Sequence, residues 1–253
     1  MDNLLEYGNW CEHKIPFKHF RAESVLDENT YKEVEANFNA VKTEQVKKKN
    51  GDVYRLEKLS SNYDAQMVAM DNDLAELFQP FFSIDFLKSI AQLLEIPFNY
   101  AIDGALHSSP RNSRTGWIHT DFCNAWFDSR FIEKNQLSFP NRQTCDYFTG
   151  RRHDESADPR KFTRAATLIF YLCNDGWKKG DGGETGLYGA GHLSDNTVFD
   201  IVAPKNNSLI LFECSPHSYH RFLTNRGRTR NSIILWIHST PETSSLKWLN
   251  AVK

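Results

Sequence analysis

His119 and Asp121 stand two apart in Gly116-Trp117-Ile118-His119-Thr120-Asp121. On a strand that interval sends both side chains to one face. Two imidazoles and one carboxylate on one face of an octahedron bind Fe(II) and leave three positions open for reactants. The third ligand must come from elsewhere. Ser215-Pro216-His217-Ser218-Tyr219-His220 offers two histidines for it, His217 and His220. Arg230 follows ten residues after His220, and Ser232 lies two further on, again on one face of a strand. A guanidinium beside a hydroxyl suits a carboxylate, which the arginine can grip with two parallel hydrogen bonds. The apolar run 233–236 would keep such a site dry. A second dyad of this kind, in His153-Asp154-Glu155, lies in a polar stretch without apolar alternation, so nothing rigid would hold it.

These side chains need a frame. Before Pro97 the sequence reads as helical: a segment over 29–41 capped by Asp27, a block over 71–78, and a third from a cap at Ser83 through Leu94. Lys47-Lys48-Lys49-Asn50-Gly51-Asp52 reads as a solvated turn. After Pro97 the segments shorten and become rich in β-branched and aromatic residues. Strands are expected over 98–106, 116–121, 165–173, 197–202, 208–213, 219–223 and 228–238. Between them, 122–163 is long, charged and weakly periodic, which marks an insertion that could cover the site. Helices followed by many short strands imply a mainly β, α+β fold. No Pro- or Ser-rich linker divides the chain, so a single domain over 1–253 is expected, with 1–97 as mostly helical support and 98–240 as the core.

Composition narrows the function classes. The chain has 253 residues, 40% hydrophobic and 25% charged, which excludes a disordered or fibrous protein. Thirty basic against 32 acidic residues give a net charge of −2, so nucleic acid is not an expected partner. No apolar run is long enough to span a membrane and the first residues do not read as a signal peptide, so a cytoplasmic protein without membrane contact is expected. The five cysteines form no C-x-x-C, which fits reduced thiols.

The ordered set of motifs resembles the non-haem Fe(II)- and 2-oxoglutarate-dependent dioxygenases, in particular their prolyl-hydroxylase-like branch. It is carried by 117–121, Leu168-Ile169-Phe170-Tyr171-Leu172-Cys173-Asn174, Asp181-Gly182-Gly183-Glu184-Thr185, Val202-Ala203-Pro204-Lys205, Leu209-Ile210-Leu211-Phe212 and the stretch from His220 to Trp236. The resemblance implies a double-stranded β-helix core of the jelly-roll or cupin kind. It implies Fe(II), 2-oxoglutarate and O2 as metal, co-substrate and oxidant. His119, Asp121 and His220 resemble the metal ligands, with His220 preferred to His217 by its spacing to Arg230. Arg230, Ser232 and Tyr171 resemble the residues that take the distal carboxylate of 2-oxoglutarate.

The presence of Asp121 favours hydroxylation, since halogenating relatives lack that carboxylate. Trp236 shares the face of Arg230 and is a candidate for substrate contact, as are Arg114 before the metal segment and Arg152 in the insertion. A small polar metabolite, such as an amino acid or natural-product intermediate, is the expected substrate. A prolyl or other protein residue is the alternative, and a non-catalytic jelly-roll binding module is a third reading.

Overall fold

The computed structural model describes residues 8–61, 63–190 and 197–249. The expectation about the first residues lies outside them. The chain is mainly β and antiparallel, with a jelly-roll core. Among the described residues twelve strands run in order: β1 (Cys11–His13), β2 (His19–Glu23), β3 (Glu57–Ser60), β4 (Tyr63–Ala69), β5 (Ile102–Ser109), β6 (Asn124–Asp128), β7 (Pro159–Tyr171), β8 (Thr185–Tyr188), β9 (Asp200–Val202), β10 (Ser208–Glu213), β11 (Tyr219–Phe222) and β12 (Arg230–Ser239). The large sheet has the order β1-β2-β10-β7-β12-β5-β4-β3, with β6 paired to β7. The small sheet is β11-β8-β9.

Period-2 alternation in the central strands explains both the fold and the site. On β12, Ile233, Leu235 and Ile237 join Leu168 and Phe170 of β7 and Leu209 and Leu211 of β10 in one apolar layer. Against that layer pack α1 (Glu28–Lys42), through Val34, Phe38 and Val41, and α3 (Ile84–Leu93), through Phe86, Leu87 and Ile90. The intervening residues face the other way. Cross-strand rungs join His107, Ser232, Tyr171 and Ser208, then Ala105, Ile234, Ile169 and Ile210, then Asp103, Trp236, Thr167 and Phe212. One face of the sheet is therefore the hydrophobic floor for the helices, and the other is the inside of the jelly roll.

The helix starts agree with the sequence. Asp27 accepts from the backbone N–H groups of Asn29 and Thr30, and Ser83 accepts from Phe86 N–H. The block expected over 71–78 is shorter, α2 (Asn72–Glu76), and Asp71 caps it. The N-terminal third is not mostly helical, however. It contributes β1 to β4, two strands at each end of the large sheet. These strands are short and rich in polar residues; β2 takes its order from β10 and β4 from β5, and β1 and β3 pair with β2 and β4 in turn.

Two further expectations change. The strand expected over 116–121 is an extended segment held to β11, with Gly116 N–H on Phe222 C=O and His119 and His220 exchanging two backbone bonds of 2.9 and 3.1 Å. The insertion 122–163 contains β6 and the first residues of β7, and its charges are partly self-paired, as Arg130 with Asp128 and Asp154. Strand β8 lies beyond the Gly182-Gly183 turn. Both glycines have φ near +80°, and a Cβ on Gly182 would meet Thr224 O at 2.0 Å.

Candidate active site

The exchange of backbone bonds between His119 and His220 brings two distant segments into register and sets their imidazoles side by side, with ring centroids 4.5 Å apart. Asp121, two residues along, completes the group. Its Oδ1 lies 3.7 Å from His119 Nε2 and its Oδ2 lies 3.6 Å from His220 Nε2. One ligand atom from each residue lies within 4.8 Å of the others, and this is the group among the described residues that could hold a metal ion. Each imidazole is oriented from behind: His119 Nδ1 meets Trp117 C=O at 3.0 Å, and His220 Nδ1 meets Ser218 C=O at 3.0 Å. A carbonyl only accepts, so both Nδ1 atoms carry the proton and both Nε2 lone pairs are free for a cation. His217, the other candidate, is exposed in the 215–218 turn and lies outside the group.

The carboxylate is held with equal care. Thr167 Oγ1 and Trp236 Nε1 donate to Asp121 Oδ2 at 2.8 and 2.9 Å, and Arg164 Nη1 donates to Oδ1 at 3.3 Å. Burial pushes the Asp121 carboxyl up, but His220, Arg164, His119 and the Trp236 hydrogen bond outweigh it and hold it well below the usual carboxylate range. His220 moves the other way from an ordinary histidine: burial, helped by His119, lowers it to about 4 against the pull of Asp121. His220 and Asp121 therefore offer a neutral nitrogen and an ionised oxygen near neutral pH, the state a divalent cation needs.

These residues line a cavity of about 530 Å³. Arg230 lies at its far end from Asp121, across the apolar rung of Ile169 and Ile234. It is buried, donates to Ser232 Oγ at 2.9 Å and approaches Thr185 Oγ1 at 3.5 Å. Tyr171 hydrogen-bonds Thr185 at 2.7 Å, and its ring lies 5.1 Å from the guanidinium carbon. Among the described residues no carboxylate pairs with Arg230, and its Nε has no partner. A buried cation without an anion is costly, so this end of the cavity is built to receive one.

Other predicted residues fall differently. Trp236 lines the cavity, but its indole N–H is spent on Asp121. Arg114 is exposed and paired to Asp64 at 3.0 Å, and Arg152 is exposed on the insertion; neither lines the cavity. The arginines that do are Arg142, Arg164, Arg221 and Arg230. Arg142 pairs with Asp103 at 2.7 Å, Arg164 with Asp121, and Arg221 lies over the Tyr188 ring at 5.0 Å from its centroid. The sequence reading also missed Thr167, Thr185 and His107. His107 is buried in the wall one rung from Arg230, with an Nε2 that has no partner. Its alternation with Asp103 and Ala105 on β5 was the available signal. At the mouth stand two exposed aromatics, Trp117, stacked obliquely on Tyr63, and Phe148 of the insertion.

The buried histidines make the apoprotein acid-sensitive. Burial holds His220 near 4 and His107 and His238 near 3. In the unfolded chain each takes up a proton below about 6.5, whereas in the folded protein each stays neutral until the lower value. The unfolded state therefore binds more protons in that window, and stability falls with falling pH, on the order of 1–2 kcal/mol per histidine. Urea unfolding of metal-free protein is expected to show a clearly lower midpoint at pH 5 than at pH 7. Equal midpoints would contradict the buried neutral histidines.

Comparison with known proteins matches part of the chain in sequence and most of it in fold. Residues 141–238 match the profile of the 2OG-Fe(II) oxygenase superfamily. Over 92 residues the chain is 35% identical to prolyl 3-hydroxylase OGFOD1 of Xenopus laevis, a match covering 34% of this chain and 16% of that protein, so the chain spans only a small part of that relative. In structure it is similar to a Pseudomonas putida prolyl-4-hydroxylase, with a TM-score of 0.55, 17% identity and coverage of 93% of this chain and 95% of that one. It is also similar to a prolyl hydroxylase from Trichoplax adhaerens, solved with a hypoxia inducible factor peptide fragment, with a TM-score of 0.52, 16% identity and coverage of 90% and 86%. At these identities the two structures speak for the fold. No helix among the described residues is long and apolar enough to cross a membrane.

Proposed function

We propose that this chain, which belongs to the 2-oxoglutarate- and Fe(II)-dependent oxygenases and resembles their prolyl-hydroxylase branch, hydroxylates a prolyl residue within a polypeptide. The observation that carries the chemistry is the cavity with a cation site at one end and an unpaired buried arginine at the other. His119, Asp121 and His220 would hold Fe(II), and the three remaining positions of an octahedron would be open. Arg230, with Ser232 and Thr185 beside it and Tyr171 against its face, would hold the distal carboxylate of 2-oxoglutarate. Bound together, Fe(II), 2-oxoglutarate and O2 supply an oxidant strong enough to hydroxylate an aliphatic C–H bond, with succinate and CO2 released. The protein's part is to orient these groups and keep water out. Ile169 and Ile234 line the span between the two ends, and Trp236 and Thr167 hold the carboxylate ligand still.

We prefer a polypeptide to the small polar metabolite of the first expectation. Arg114 and Arg152, two basic residues offered to a small anionic substrate, stand away from the cavity. The mouth instead presents Tyr63, Trp117 and Phe148, and aromatic-lined surfaces suit the apolar pyrrolidine ring of proline in an extended chain. The names of the relatives point the same way. Two steps test the proposal. Fe(II) and then 2-oxoglutarate, added without O2, are expected to produce a weak visible charge-transfer band that requires both. With O2, succinate formation is expected to rise with proline-containing peptides and not with free L-proline, and peptide mass to rise by one oxygen. A response to free amino acids alone would return the assignment to a small metabolite. Absence of the band in folded protein would leave the binding-module reading.

A further inference from the structure

Asp121 is tied into a buried polar chain that leads out of the cavity. Arg164 donates to Asp121 Oδ1 and, from Nε, to the Tyr147 hydroxyl at 2.9 Å. The Tyr147 oxygen lies 2.8 Å from His238 Nε2, and His238 Nδ1 lies 3.2 Å from the Ala101 carbonyl. The carbonyl can only accept, so His238 carries its proton on Nδ1 and its Nε2 accepts. The Tyr147 hydroxyl therefore accepts from Arg164 and donates to His238, and each proton in the chain is placed by its neighbour. All four side chains are buried. The guanidinium carbon of Arg164 lies 3.9 Å from the ring centroid of Trp236, the same indole that donates to the other oxygen of Asp121.

Packing alone does not call for this chain. Tyr147 belongs to an apolar cluster with Ala101, Ala125, Phe127 and Phe162, where a phenylalanine would fill almost the same volume. Burying a guanidinium, a phenol and an imidazole there costs desolvation that well-packed apolar side chains would avoid. We propose that Tyr147 and His238 are positioning residues for the metal-binding carboxylate. They hold Arg164, and Arg164, Thr167 and Trp236 together hold both oxygens of Asp121 in place. The role rests on the reading of His119, Asp121 and His220 as metal ligands. It also gives the insertion a task other than that of a lid: by carrying Tyr147, it is a fixed wall behind the metal site.

Co(II), titrated into metal-free full-length protein and followed by visible absorption, tests the role without turnover. Arg164→Lys keeps the charge but replaces the fork whose Nε and Nη1 reach Tyr147 and Asp121 with a single donor atom. It is expected to raise the Co(II) dissociation constant about 10- to 100-fold and to alter the ligand-field bands, the size of effect seen when a partner behind a metal ligand is lost. Tyr147→Phe, one hydrogen bond further from the ligand, is expected to act in the same direction by about 10-fold, the lower end of that range. Phe162→Leu, in the same apolar cluster and packed on Phe127, is the packing control: it should lower the melting temperature and leave the Co(II) affinity unchanged. Tyr147→Phe and Arg164→Lys proteins that bind Co(II) as wild type does would overturn the proposal. So would a Phe162→Leu protein that loses affinity as much as Tyr147→Phe. Wild-type protein that takes up no Co(II) would overturn the ligand assignment itself, a failure visible before any variant is made.

Discussion

Asp121→Asn is expected to abolish iron-dependent turnover of 2-oxoglutarate. The change is nearly isosteric, and the acceptor oxygen can keep the hydrogen bonds of Thr167 and Trp236. What it removes is the negative charge, which Asp121 alone of the three candidate ligands can supply. The loss in Fe(II) affinity should exceed the roughly 10- to 100-fold that follows removal of a partner behind a ligand. A second effect follows from the same charge. Arg164 is buried and its ion pair is with Asp121, so the amide leaves a buried cation uncompensated. That costs about 3–5 kcal/mol, and the apoprotein should melt cooperatively at a lower temperature. Isothermal titration with Fe(II) under nitrogen, with circular dichroism for the fold, reads the two effects separately. An asparagine variant that is folded and binds Fe(II) with near wild-type affinity would falsify the ligand assignment.

Arg230→Met should act at the other end of the cavity and with a different kinetic signature. Methionine keeps much of the length and apolar bulk, so Tyr171 and Phe222 retain a neighbour where the guanidinium now stacks. The charge-assisted hydrogen bonds to a carboxylate are lost. A buried charge pair broken on one side costs several kcal/mol, so the KM for 2-oxoglutarate should rise by about 100-fold or more. The carboxylate contact lies far from the reacting bond and is made equally before and during reaction. The turnover number at saturating 2-oxoglutarate should therefore change much less than KM. Fe(II) binding should be unaffected, and metal-free stability should hold or improve, since the buried arginine has no carboxylate partner to lose. An unchanged KM would place the co-substrate carboxylate on another residue, with Arg221 the next basic side chain in the cavity wall.

The period-2 rule made much of this legible. Alternation in 230–237 and 167–172 separates a polar, chemistry-bearing face from an apolar one, and the sheet uses the two faces as that pattern requires. The His-x-Asp interval and the distance from His220 to Arg230 are likewise properties of single segments, and the fold brings those residues to one cavity. The helix caps at Asp27 and Ser83 are local hydrogen bonds between residues close in sequence, and they too could be read in advance.

The remainder depends on contacts between segments far apart in the chain. Strands β1 to β4 carry little strand signal because they are ordered by pairing, β2 with β10 and β4 with β5, rather than by their own residues. Whether His217 or His220 joins the metal group turns on the exchange of two backbone bonds with His119, about a hundred residues away. In sequence Arg114, Arg152 and Arg164 cannot be told apart, because sequence records a charge and not its neighbour. Only the folded chain pairs Arg114 with Asp64 on the surface and sets Arg164 between Asp121, Tyr147 and Trp236. The sequence by itself determined which side chains share a face and which chemistry they can do. The tertiary structure decided which charges are buried together, because burial and ion pairing arise only when segments distant in the chain close around the same space.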